Sequence, residues 1–307
     1  AATAAELNTA QAKTSVAVDA SNVASIESSP ATDLASLYTG TTPTGIDDAD
    51  IAVNDSTISA SDYIAIDGYT AGTATFAAST IEGAAADINT ALSGADADVI
   101  HEDDIAVTVT DTTVAADDLV AIEGLTTGVT SVTSATRMTG SHADVDAAFG
   151  FNDDQVNGGD DPERINGLDN INVTLTDDPS IAEIVEIIAQ TGTGKVTATA
   201  PSTSTSLANY IDAGISGTGH IITIPTLTNT TVAAADVVTL DTATTETITF
   251  VPSNDADSPT ISESSYSNVL SVLTSSTISG LDDAPVTVSG TISVDEANAI
   301  DSETTGV

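Results

Sequence analysis

Apolar and polar positions alternate in short bursts along this chain, and the clearest burst covers residues 105–149. Val107 and Val109 alternate with Ala106 and Thr108, the period-two pattern of a half-buried strand. Asp111, Thr112 and Thr113 follow as a turn, and AADDLVAIEG predicts a short helix that stops at Gly124. A second β-branched run, 129–136, predicts another strand. After Gly140, HADVDAAF (142–149) predicts a second short helix.

The same phrases return elsewhere, the mark of a repeat architecture. The first helical phrase starts at Ile58, Val114, Val232 and Ile292, and a weaker copy spans 180–188. The intervals are uneven: 114 − 58 = 56, 180 − 114 = 66, 232 − 180 = 52 and 292 − 232 = 60. Insertions in a stacked array fall in loops, which accounts for the spread. Within each phrase apolar residues recur at i and i+3, as in Leu119 with Ile122 or Val237 with Leu240, the one-sided stripe of a short helix on a sheet. Asp or Ser just upstream is placed to cap each helix. A following glycine (Gly72, Gly128, Gly194, Gly306) is expected to supply a left-handed turn. The second helical phrase recurs at 31–38, 85–92, 142–149 and 204–211.

These phrases divide the chain into 1–50 (partial repeat), 51–104, 105–170 with an acidic insertion at 150–166, 171–220 (divergent), 221–284 and 285–307 (partial). The phrase at 4–13 matches the first helix, and 299–307 matches 121–129, so the two ends share nearly the same repeat phase. That predicts excision from a longer array or docking of the ends on neighbouring subunits. The expected fold class is an α/β repeat protein of strand–short helix–strand–short helix units in a right-handed, solenoid-like array. A string of small β-rich domains is the alternative.

Composition changes the picture in two ways. Trp and Cys are absent and aromatics are 3% of residues, so the Ala, Val and Ile core predicts thin regular layers. Four basic residues, Lys13, Arg137, Arg164 and Lys195, face 46 acidic ones, for a net charge of −42. Nucleic-acid binding is excluded as a function class, because neutralising phosphates needs clustered Lys and Arg. Such self-repulsion requires screening by salt or by divalent cations on the carboxylates. No apolar run reaches the roughly 20 residues of a membrane span. The start, AATAAELNTAQAK, lacks a basic region followed by an apolar one, so no signal peptide is read there. The composition itself suggests an extracellular or cell-surface setting.

Calcium is the candidate cofactor, since carboxylate and carbonyl oxygens suit it. The densest oxygen set lies in the 150–166 insertion: Asn152, Asp153, Asp154, Asn157, Asp160, Asp161 and Glu163. Counted from Asp153, the residues Gln155, Asn157 and Gly158 fall at the third, fifth and sixth places of an EF-hand loop, but the twelfth place is Arg164 and Glu163 is one early. A solvated acidic loop paired with Arg164 is the competing reading. Asp pairs (Asp47/Asp48, Asp103/Asp104, Asp177/Asp178, Asp282/Asp283) recur where strands start, either as turn caps or as a ladder of cation sites between units. Gly192-Thr193-Gly194-Lys195 mimics part of a phosphate loop, yet Ala189 and Val196 stand where that motif needs Gly and Ser or Thr. His101, His142 and His220 fall at three repeat phases and read as surface or turn residues. No GxSxG elbow exists, and no catalytic residue is assigned.

The phrases VTVTDTTVAADDLVAIEGLTTGVTSVTSATRMTG and GLDDAPVTVSGTISVDEANAID resemble tandem repeats of very large, acidic, Thr/Ala/Asp-rich surface proteins of marine cyanobacteria, and of structural proteins of their phages. The resemblance is good over 51–149, moderate over 222–307 and poor over 160–220. It implies a non-enzymatic structural or adhesive role: a surface layer, extracellular filament or giant-adhesin segment. The implied partners are other copies of the chain, head-to-tail or lateral, and cell-envelope polysaccharide. A virion appendage or decoration protein is the alternative, and a secreted hydrolase the minor one.

Overall fold

The computed structural model describes residues 1–39, 43–94, 99–152, 164–251, 259–263 and 265–304. Among these, short strands alternate with eleven helices: α1 (Ala4–Gln11), α2 (Ala31–Tyr38), α3 (Ala60–Asp67), α4 (Ala85–Ser93), α5 (Ala116–Glu123), α6 (His142–Asn152), α7 (Ile181–Gln190), α8 (Leu207–Asp212), α9 (Ala234–Ala243), α10 (Tyr266–Thr274) and α11 (Val294–Glu303). Strand pairing among the described residues is parallel, and no sheet closes into a barrel. The chain divides into two compact units, Ala1–Thr136 with Ala147–Leu168, and Arg137–Asp146 with Asp169–Val307.

In the first unit one sheet runs Ala2–Thr3, Ser25–Ser29, Asp50–Val53, Ala74–Phe76, Val99–Ile100. A second runs Thr57–Ser59, Thr80–Gly83, Ala106–Val109, Thr130–Ser131, Ile165–Asn166. Register stacks like on like. Ile58, Ile81, Val107, Thr130 and Ile165 form one column across the second sheet, each 3% exposed or less. Each strand-and-helix step is one coil, and helix starts fall at residues 4, 31, 60, 85 and 116. One coil is therefore about half of the 56-residue interval seen between Ile58 and Val114. Consecutive helices α1 to α5 pack side by side.

In the second unit, Arg137–Gly140, Asn172–Leu175, Val196–Thr199 and Ile221–Thr223 pair in that order, with Met138, Val173 and Val196 in a buried column. Thr231–Ala233, Thr260–Glu263 and Val286–Val288 form a three-stranded sheet, and Ile248–Thr249 pairs with Ile278–Ser279. Helices α8 to α11 pack in sequence.

The helices bury the stripe that their sequence spells, extended by one position. Ala116, Leu119 and Ile122 are fully buried, as are Ala234, Val237 and Leu240, and Ala60, Tyr63 and Ile66 are each 1% exposed. Alanine at the first helical position lets the helix start lie close on the sheet, and each larger apolar residue contributes roughly 1.5–3 kcal/mol on burial. Three expectations are corrected. The run at 129–136 is a strand only over Thr130–Ser131; a turn in which the Ala135 N–H donates to the Val132 carbonyl at 2.8 Å follows, and the next strand, Arg137–Gly140, begins beyond the run. Helix α8 starts at Leu207 instead of residue 204, because the Ser204 N–H donates to the Pro201 carbonyl in a preceding turn and Ser206 is the residue just before the helix. Helix α10, YSNVLSVLT, was not among the expected helices, although Val269 and Val272 keep the same buried spacing.

Candidate functional site

A helix start leaves main-chain N–H groups without intrahelical partners. In α1, α3, α7 and α11 these are met locally, by Thr3, Ser59, Ser180 and Ser293. Glu6, Glu183 and Glu296 complete capping boxes. The N–H of the capping Thr or Ser, donated to each carboxylate, holds its pKa below the usual range. The expectation of local caps fails in α5 and α9, which follow Ala115 and Ala233 and have no side-chain cap. The second-phrase helices α2, α4 and α8 also lack a side-chain cap from just upstream. Here the acceptor comes from the following coil. Ala31 N–H donates to Asp55 Oδ2 at 2.7 Å, Ala85 to Asp111 Oδ2 at 2.7 Å and Leu207 to Asn229 Oδ1 at 3.1 Å. In α6, His142 N–H likewise donates to Asp177 Oδ2 at 3.0 Å. Three of these acceptors open the phrases Asp55-Ser-Thr-Ile, Asp111-Thr-Thr-Val and Asn229-Thr-Thr-Val, a recurrence that marks them in the sequence.

A second junction lies after α3 and α5. Thr70 Oγ1 donates to the Ala49 carbonyl and Thr126 Oγ1 to that of Ile105, both at 2.6 Å. The same hydroxyls accept from Gly72 N–H and Gly128 N–H at 2.9 Å. The expectation that these glycines adopt left-handed backbone is corrected: Gly72, Gly128 and Gly194 do not have positive φ. They are required by close approach. A Cβ on Gly128 would lie 2.3 Å from the Ile105 carbonyl oxygen, and one on Gly194 2.0 Å from that of Ile171.

The Asp pairs contribute main chain to the same junctions. The Asp47 carbonyl accepts from Ala71 N–H and that of Asp103 from Thr127 N–H. The residues of all four pairs are exposed, and among the described residues no three His, Asp or Glu side chains converge as a metal set. Asp153, Asp154, Asn157, Asp160, Asp161 and Glu163, the calcium candidates, lie outside the described residues. The Gly192–Lys195 phrase sits in the turn after α7, where Thr193 N–H and Oγ1 both donate to Asn170 Oδ1.

The histidines divide. His101 Nδ1 lies 3.0 Å from the Glu102 carbonyl, consistent with a turn residue. His142 stands between Glu186 (3.1 Å) and Glu183 (3.6 Å). His220 is not a surface residue: it is 3% exposed, and its Nδ1 accepts the Val196 N–H at 3.1 Å.

One charge is buried outright. The Glu123 side chain, at the end of α5, is 1% exposed, and Arg164 Nε lies 3.0 Å from its Oε2. Thr130, the polar member of the second sheet's column, donates from Oγ1 to Glu123 Oε1 at 2.8 Å. Arg164 also donates to the carbonyls of Glu123 (2.8 Å) and Thr126 (2.6 Å), so it covers the last carbonyl of α5 and one in the turn that follows. Burial pushes the Glu123 carboxyl up, while the Thr130 hydroxyl and the guanidinium pull it down. Arg164 thus pairs with Glu123 of α5, a residue outside the acidic insertion, and the acids of that insertion with which a pairing is expected from sequence lie outside the described residues. No helix among the described residues is long and apolar enough to cross a membrane. No family model matches the chain, nor does any curated protein or any solved structure.

Proposed function

We propose that this chain is a structural or adhesive repeat segment of an extracellular or cell-surface assembly, without catalytic activity. Within each unit the coils stack as a solenoid-like array, and copies associate with one another head-to-tail or laterally. The observation that carries this reading is the recurrence of the contacts that join one coil to the next. Asp55, Asp111, Asp177 and Asn229 each hold the preceding helix start, and Thr70 and Thr126 each hold the preceding strand. A junction made of main chain plus one short polar residue per coil extends by adding coils, the logic of repeat scaffolds. The net charge of −42 fits a setting where cations surround the molecule. Calcium bridging acidic faces, including the 153–163 segment, is part of the proposal, as is envelope polysaccharide as a partner.

Electron microscopy of the purified chain, with calcium and with a chelator, tests this reading. Filaments or sheets in calcium are expected. Dispersed single particles under both conditions, at millimolar calcium and near-physiological salt, would contradict it.

A further inference from the structure

His220 occupies a place in the ladder of the second unit that its neighbour fills with a threonine. His220 and Thr244 face each other in a parallel bridge. Each provides a side-chain acceptor to a strand N–H of the preceding coil: Val196 N–H to His220 Nδ1 at 3.1 Å, and Ile222 N–H to Thr244 Oγ1 at 3.2 Å. A hydroxyl accepts at any pH, whereas an imidazole nitrogen accepts only while it keeps its lone pair.

We propose that His220 is an acid-sensitive latch between two coils, closed while Nδ1 is unprotonated and opened when a proton takes that nitrogen. The bond to Val196 fixes the neutral tautomer with hydrogen on Nε2. Protonating Nδ1 would set two donors against each other inside a buried junction. Burial and then the Lys195 ammonium both oppose the cation, lowering the His220 pKa. Lys195, on the preceding coil, anchors to the Thr218 carbonyl two residues before His220, so its charge is held nearby. The other groups bonded to His220 or crowding it, Val196, Ala243, Thr245 and Gly217, are uncharged. Because the closed state excludes the proton and the open state accepts it near pH 6.5, acid favours opening. The opening constant rises up to about tenfold per pH unit below about 6.5, until the closed form itself titrates.

The test is amide hydrogen exchange of the intact chain between pH 7.5 and 5, corrected for intrinsic rates and read at Val196 and Ile222. Protection at Val196 is expected to fall by about tenfold per unit below pH 6.5 while Ile222 changes far less. His220→Thr, which installs the neighbouring coil's acceptor, is expected to keep Val196 protected and flatten its pH profile. Equal profiles at the two amides, or a slope that persists in His220→Thr, would overturn the proposal. Should that variant not fold, imidazole nitrogen shifts of the wild-type chain decide: a neutral ring with hydrogen on Nε2 at pH 7 supports the latch, and hydrogen on Nδ1 refutes it.

Discussion

The main-chain N–H of Ala85 donates to a carboxylate oxygen of Asp111 2.7 Å away, joining the first residue of α4 to a residue 26 positions later. A helix start is thus completed by the next coil. Removing that acceptor with Asp111→Ala is expected to cost about 1 kcal/mol, within the 0.5–2 kcal/mol range of N-cap losses. Asp111→Asn, which keeps an acceptor oxygen as Asn229 does for Leu207, is expected to lose only a fraction of that. Urea unfolding checks the pair, and equal stability of Asp111→Ala and wild type would refute the assignment.

Glycine in the turn after a helix answers to space. Gly194→Ala places a methyl 2.0 Å from the Ile171 carbonyl oxygen, so the two coils must separate, at an expected cost above about 2 kcal/mol. Gly150, inside α6, has nothing within 4 Å of such a methyl. Gly150→Ala is expected to stabilise by about 0.5–1 kcal/mol through helix propensity. Thermal unfolding of the two variants should move in opposite directions.

Glu123 is tolerable in the interior because Arg164 neutralises it. Arg164→Met leaves the carboxylate buried and uncompensated, an expected loss of about 3–5 kcal/mol at pH 7. The pH dependence has a definite sign. Burial raises the folded pKa of Glu123 above its unfolded value. The folded state then binds the extra proton first, so this group adds stability as pH falls through the folded pKa towards about 4.5. Without Arg164 that gain is larger. Arg164→Met should therefore recover part of its deficit against wild type between pH 7 and 5, and a deficit constant with pH would contradict the buried-charge explanation.

Four basic residues cannot balance 46 acidic ones, so repulsion within the folded chain is screened by dissolved ions. The melting temperature is expected to rise steadily from about 10 mM to 1 M sodium chloride, where the screening length falls to about 3 Å. Chloride and perchlorate salts of sodium at equal ionic strength separate screening from salting-out. A melting temperature independent of salt at the low end would contradict the electrostatic account.

Much of the local structure was legible in the sequence. Leu119 with Ile122, and Val237 with Leu240, announced helices because the i, i+3 stripe is a local pattern, and α2 matches its expected bounds of 31–38. What was not legible depends on residues brought together across a coil. Asp111 reads as a turn residue when only its neighbours are seen, and its role in capping Ala85 exists only once the chain is folded. Gly128 looks like a conformational glycine until the Ile105 carbonyl arrives against it. His220 reads as a surface histidine because nothing nearby in sequence says that Val196 needs an acceptor. Glu123 similarly gives no local hint of burial, since Arg164 lies 41 positions away.

The proposed stacking of coils through borrowed caps is tested most directly by native-state amide exchange at Ala31 and Ala85 in Asp55→Ala and Asp111→Ala made separately. Each variant should lose about tenfold protection at its own partner, the equivalent of about 1.4 kcal/mol, while the other amide holds. Unchanged protection at both amides in both variants would contradict it.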